Sequence, residues 1–239
     1  MEKPRRALLA VTALVAVVAM LNACGSSPAP KRPVLQGENS RAVDFSGSWE
    51  LDYAQSDNVQ DKVNSLAREL NREAERLARG GMQQGPVGGT LVSGYGATGG
   101  EAILGMVRMA DLVTQAPLLQ IQQSANDIRV RREGDFDLTC EFYPGALSTV
   151  ETPFGIEICG WKAHQLVFRL LLPDGLRIQH VMTMGAAGQK LQIATTVSTD
   201  QVSFPFSLNR VYNRFEPGES GYKCEVTLTR GTVCSTQTR

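Results

Sequence analysis

The side chains able to do chemistry are few: five cysteines and two histidines in 239 residues. His164 and His180 stand apart, and neither an H-E-x-x-H zinc helix nor a G-x-S-x-G nucleophile elbow occurs. No Cys-x-x-Cys occurs, so a zinc knuckle or a thioredoxin-like pair is unsupported. Gly94-Tyr95-Gly96-Ala97-Thr98-Gly99 matches G-x-G-x-x-G, but a dinucleotide fingerprint needs a buried strand before it and a βαβ unit around it. Here the preceding stretch is glycine-rich, so the match reads as chance within a biased segment. Gly185-Ala186-Ala187-Gly188-Gln189-Lys190 has the wrong spacing for a P-loop. Asp135 and Asp137 sit on an outward face. These residues make no catalytic constellation, and the reading is a protein that is not an enzyme and uses no metal or cofactor.

The thiols remain. Ahead of Cys24 lie a basic start (Lys3, Arg5, Arg6), an apolar run from Ala7 to Met20, and small residues. This is the three-part plan of a secretory signal over residues 1–23. The apolar run is short for a membrane span. A cleaved signal with a chance cysteine and an uncleaved membrane helix are the plain alternatives. Leu21-Asn22-Ala23-Cys24 resembles the bacterial lipobox. The resemblance implies a diacylglycerol thioether on Cys24, cleavage before it, and acylation of the new amine. The protein would then be an exported lipoprotein held to a membrane by its lipid. Gly25 follows in place of an aspartate; by analogy with lipoprotein sorting in enteric bacteria, that points to the outer membrane, facing the periplasm, over the inner membrane.

Loss of residues 1–23 takes Lys+Arg from 24 to 21 and Asp+Glu from 24 to 23, which leaves no electrostatic footprint for nucleic acid. Cys140, Cys159, Cys224 and Cys234 remain, an even number that reads as disulfides in an exported chain, with three possible connectivities. The stretch from Cys224 to Cys234 looks like a hairpin turning near Thr229, with Gly231 suited to a three-residue turn, so these two cysteines would face each other. That leaves Cys140 with Cys159. Cys140 lies on an apolar face, whereas Cys159 alternates with Ile156 and Ile158; a bulge near Gly160 would reconcile them.

These side chains must be positioned by regular elements. Residues 24–43, rich in Ser, Pro and Gly, read as a tether behind the lipid. Phe45, Gly47, Trp49, Leu51 and Tyr53 alternate with polar residues, the pattern of a half-buried antiparallel strand. The period then becomes helical at Val59, Val63, Leu66, Leu70, Ala74 and Leu77, with N-cap candidates at Ser56-Asp57-Asn58 and a stop at Gly80-Gly81. Gly80 to Gly100 should be a loop. Glu101 to Gln115 carries a second stripe, Ile103, Met106, Val107, Ala110 and Val113, that ends at Pro117. From Leu118 to Tyr212 the period is two, with turns at Ser124–Asp127, Pro173–Gly175 and Gly185–Gly188. The expected fold is mainly β: an antiparallel up-and-down barrel or strongly curved sheet over residues 44–216, interrupted by a helical and Gly-rich insertion at 58–115 and followed by a C-terminal disulfide hairpin at 217–239.

Gly47-Ser48-Trp49 resembles the Gly-x-Trp that opens lipocalins and their calycin relatives. In that group an arginine near the end of the last strand lies over the tryptophan and closes one barrel end. Arg210 and Arg214 stand in the matching place, so Gly47, Trp49, Arg210 and Arg214 are the implied closing residues. Residues 45–56 with the run from Trp161 to Arg214 resemble small lipocalin-like domains of exported bacterial proteins. The insertion and the C-terminal tail depart from that pattern.

Two functions follow as expectations. One is a carrier of a small apolar molecule, with Phe136, Leu138, Phe168, Leu170, Ile178, His180 and Met182 as its lining. The other is a structural or assembly lipoprotein with a filled barrel, which acts through an envelope protein partner. Barrels of about eight strands allow either outcome. His180, alone among apolar residues on its face, is either hydrogen-bonded in the core or a polar contact for a ligand.

Overall fold

The computed structural model describes residues 35–37, 43–80, 97–217, 222–227 and 231–236. Cys24, the signal, most of the tether and Gly94–Gly96 lie outside that set. The chain enters strand β1 (Gly47–Leu51), passes through helices α1 (Val59–Gly80) and α2 (Ala97–Leu112), and then runs as strands. These are β2 (Leu118–Gln123), β3 (Asp127–Arg132), β4 (Leu138–Glu141), β5 (Ser148–Thr152), β6 (Gly155–Lys162) and β7 (Gln165–Leu171). β8 (Arg177–Met184), β9 (Lys190–Thr199) and β10 (Val202–Phe215) complete the sheet, and β11 (Tyr222–Thr227) with β12 (Gly231–Thr236) forms a separate hairpin.

Ten strands make one antiparallel sheet in the order β4-β3-β2-β1-β10-β9-β8-β7-β6-β5, wrapped into a nearly closed up-and-down barrel. Alternation puts Leu191, Ile193, Thr195 and Val197 of β9 on the concave face with His180 and Met182 of β8, while charged residues face out. The ends of the sheet, β4 and β5, are not hydrogen-bonded to each other. A disulfide from Cys140 to Cys159 (Cα–Cα 5.8 Å) ties β4 to β6 across this seam. The segment 35–37 seals it further: Gln36 exchanges two backbone hydrogen bonds with Trp161, at 2.7 and 2.6 Å. Gly37 is needed there, because a Cβ would lie 1.8 Å from the Ala146 carbonyl oxygen.

The register from β5 to β7 is unbroken, so no bulge forms near Gly160. Cys159 and Trp161 point inward, and it is Ile156 and Ile158 that point out. Those two isoleucines were expected on the buried face. β1 also ends earlier than its alternation suggests: Asp52 accepts hydrogen bonds from the Ala54 and Gln55 amides, turns the chain, and leaves Tyr53 exposed.

The insertion packs on the barrel. Asn58 caps α1 by accepting the Asp61 amide at 3.2 Å. α2 begins at Ala97, inside the stretch read as a loop. Its stripe is the expected one, with Met106 and Ala110 fully buried and Ile103, Val107 and Val113 half-buried. It packs with Leu66 of α1 against Ile178, Val197, Phe206 and Leu208 on the concave face. A second core cluster, around Phe45, Trp49, Trp161, Leu166, Met182, Leu191 and Tyr212, fills the other end. In an antiparallel meander the turns alternate between the two ends. The β2–β3, β6–β7 and β8–β9 turns therefore lie at the Trp49 end, here the floor. The β3–β4, β5–β6, β7–β8 and β9–β10 turns lie at the helical end, here the mouth.

In the C-terminal hairpin, the register sets Cys224 opposite Cys234 and Thr227 opposite Gly231. The turn residues 228–230 and the side chains of both strands lie outside the described residues.

Candidate functional site

At the floor, Gly47 has φ +132°, a conformation that favours glycine. A Cβ there would lie 2.4 Å from a terminal nitrogen of Arg214. Its absence lets the guanidinium settle over the Trp49 ring, with Cζ 4.3 Å from the centroid. The Arg214 side chain also donates to the carbonyls of Ser46 (2.6 Å) and Gly188 (2.9 Å), so cation–π attraction and two charge-assisted hydrogen bonds act together. The Trp49 indole N–H donates to the Phe45 carbonyl at 3.1 Å. Trp161 completes the floor, stacked on Phe45 at 5.9 Å and tilted against Phe142 at 5.5 Å.

Arg210 is elsewhere. Four residues before Arg214 on the same strand face, it lies roughly 13 Å nearer the mouth. One terminal nitrogen donates to the Asp57 carbonyl at 2.8 Å and the other to Thr114 Oγ1 at 3.2 Å. Asp57 precedes α1 and Thr114 follows α2, so one guanidinium holds both ends of the insertion. The reading of Arg210 as a floor residue is corrected on this point. β10 carries two arginines of matching parity, and only Arg214 lies beside the missing Cβ of Gly47.

Between these ends sits a buried polar group. His180, 3% exposed, has Nδ1 2.9 Å from Thr195 Oγ1 on the paired strand. Burial, helped by the positive charge of Arg132, pushes the imidazole down to about 3, so the ring is neutral at ordinary pH. Tyr212 donates its hydroxyl to the Ala116 carbonyl at 3.0 Å, and burial raises its pKa. Arg132 donates to the Val113 and Phe136 carbonyls and pairs with Asp135 at 2.6 Å. A cavity beside these groups measures about 20 Å³ and is lined by Leu138, His180, Met182, Thr195, Arg210 and Tyr212, among others. That is room for about one water.

The expected lining residues are thus dispersed. Leu138, His180 and Met182 touch the small cavity. Phe168 belongs to the floor cluster, and Ile178 and Leu170 pack beneath the helices. Phe136 is no lining residue: it sits in the β3–β4 turn, 86% exposed, where its own amide and carbonyl bond to Asp135 and Arg132. Arg132 and Thr195 are the polar residues that sequence reading passed over. Thr195 could have been found, because it alternates with Leu191, Ile193 and Val197 and so must face inward. Arg132 gave no such signal, since a strand-end arginine ordinarily faces water.

A larger space lies outside the barrel, a cleft of about 440 Å³ lined by Ser48, Gln120, Arg131, Glu133, Asp137 and Phe215, among others. Its wall mixes the charged side chains of Arg131, Arg132, Glu133 and Asp137 with the apolar Leu118, Leu119, Phe215 and Pro217. Among the described residues no three His, Cys, Asp or Glu side chains are grouped to hold a metal. No protein-family model, curated protein or solved structure matches the chain.

Proposed function

We propose that this protein is a non-catalytic envelope lipoprotein, anchored through a lipid on Cys24, that displays the mouth of a filled barrel to a protein partner. The observation that carries this reading is the interior. The described cavity beside His180 holds about 20 Å³, against roughly 300 Å³ or more for ligand pockets. The space that a carrier would leave open is taken by Met106 and Ala110 of α2, and Arg210 pins both ends of the insertion. A ligand would have to displace a packed helix.

The surface supports the same reading. Of the described large apolar residues left exposed, Tyr53, Leu104, Leu112, Phe136, Val150, Phe154 and Ile156 lie on the mouth turns, the helices or the adjacent hairpin, and Tyr143 lies in the β4–β5 turn at the floor. Exposed aromatic residues concentrated on one end mark an interaction surface more often than a solvated one. The tether reaches the fold at the other end: Leu35 and Gln36 run beside Trp161, near the β6–β7 turn at the floor. On the sorting analogy the anchoring membrane is the outer membrane, at its periplasmic leaflet.

The test is native mass spectrometry of the protein purified from its own host. The expected mass is that of the chain from Cys24 onward plus acyl groups. A stoichiometric small molecule released on unfolding would overturn the reading and favour the carrier of an apolar ligand. An unacylated chain would remove the anchor.

A further inference from the structure

β5 is an edge strand whose free side is exposed. Its register on β6 pairs Thr152 with Gly155 across a two-residue turn, then Val150 with Glu157 and Ser148 with Cys159. The alternation of an antiparallel ladder therefore turns the backbone N–H and C=O of Thr149 and Glu151 away from β6. No described residue bonds to these groups, and Thr149, Val150 and Glu151 are exposed. Edge strands are usually blunted or covered. This one instead ends in Phe154, 78% exposed, with Val150 and Ile156 also open to solvent.

Charge selects the occupant. From Glu133 through Trp161 the chain carries Glu133, Asp135, Asp137, Glu141, Glu151 and Glu157, and no Lys, Arg or His. This stretch forms the β3–β4 turn, both edge strands and most of β6; Asp135 is paired with Arg132, and Glu141, Glu151 and Glu157 leave β4, β5 and this part of β6 with acidic charge only. A second copy would bring like charge against like, and an anionic membrane surface would be repelled. A cationic strand would be attracted along the same edge.

We propose that the β5 edge accepts an extended segment of a partner protein, alternating apolar and basic residues, as an added strand. Backbone bonds to Thr149 and Glu151 supply affinity, while Val150, Phe154 and the acidic residues select the side chains. The inference rests on the partner-display reading above and names the partner's chemistry.

The test is amide hydrogen exchange of the host-purified lipoprotein with two synthetic peptides, one alternating Lys and Val, the other Glu and Val. The Lys–Val peptide should slow exchange at Thr149 and Glu151 by about tenfold or more, and added salt should weaken the effect. Glu151→Pro removes the outward N–H without touching a bond to β6, and should abolish protection. Glu151→Gln, which keeps the N–H, should retain part of it, and Phe154→Ser should weaken it. Equal protection by both peptides, or by neither, overturns the proposal. So does protection without peptide: if it grows with protein concentration the occupant is a second copy, and if it does not, the chain covers its own edge. A clean native mass with unprotected amides removes this site alone, whereas a carried small molecule removes the partner reading itself.

Discussion

The guanidinium of Arg214 lies 4.3 Å above the Trp49 ring, and it can do so because Gly47, between them, has no side chain. Gly47→Ala must resolve both a φ of +132° and a 2.4 Å contact. It should cost about 1–3 kcal/mol, the scale of backbone strain at a glycine-only conformation. Arg214→Lys keeps the charge but loses the flat fork that stacks and bonds two carbonyls, and should cost about 1–2 kcal/mol. Urea midpoints at constant m-value check both. A wild-type midpoint for Gly47→Ala would show that the floor does not depend on this approach.

Four residues of β1 and β10 show what the sequence carried and what it left open. Alternation made Trp49, Arg210, Tyr212 and Arg214 inward-facing, as they are, and the helical stripes of α1 and α2 marked the faces that pack. A period of two cannot tell which of two arginines four residues apart reaches the tryptophan, because both point the same way. Ile156 and Ile158 misled for a related reason: the register of β6 is set by its neighbours, and the hairpin reaches the mouth, where isoleucine stays partly exposed. Phe136 reads as the first residue of an alternating strand, but the Asp135 and Arg132 contacts around it belong to a turn that periodicity does not see. That the helices fill the mouth was legible only as a departure from the usual short link, since packing across the barrel is a long-range relation.

Arg210 joins the two ends of the insertion through Asp57 and Thr114, and its Nε is buried without a hydrogen bond. Arg210→Met should destabilise by about 2–3 kcal/mol, the cost of losing charge-assisted bonds, and should loosen α1 and α2 before the sheet. Amide exchange reads this as faster opening of residues 59–80 and 97–112 with little change in β7–β9. Uniform acceleration everywhere would mean that the helices and barrel open as one unit and that Arg210 is no local pin.

The Cys140–Cys159 bond crosses the one unpaired seam of the sheet, with 19 residues of separation. In the chain-entropy model a loop of that size is worth about 3 kcal/mol. The double variant Cys140→Ala/Cys159→Ala should lose about that much and should expose the Trp161 and Gln36 amides to exchange. Non-reducing peptide mapping should recover Cys140 with Cys159, and Cys224 with Cys234 as their register places them. A peptide joining Cys140 to Cys234 would contradict the pairing.

His180 makes the fold sensitive to mild acid. The unfolded chain's imidazole titrates near 6.5, while in the fold burial and the nearby Arg132 charge push it down to about 3. As pH falls, the unfolded state therefore takes up the proton first, and stability drops. The contribution of the neutral ring is fully present above pH 6.5 and is lost progressively between 6.5 and 3. Between pH 7.5 and pH 5 the loss should be about 2 kcal/mol, since the unfolded state alone gains the proton over that interval. Carboxylates complicate the lower range. Hydrogen bonds hold Asp44 and Asp52 below their usual values, so both add losses of the same sign at lower pH. Partial burial raises Glu50, which works in the opposite direction. The slope of His180 is isolated by difference from His180→Gln, which offers Thr195 an amide in place of the ring and has nothing to protonate. Denaturant titrations at pH 7.5, 6 and 5 should show wild type losing stability relative to His180→Gln across the series. Parallel pH profiles for wild type and His180→Gln would mean that the ring reaches a proton in the folded state, and that the 20 Å³ cavity beside it opens to solvent.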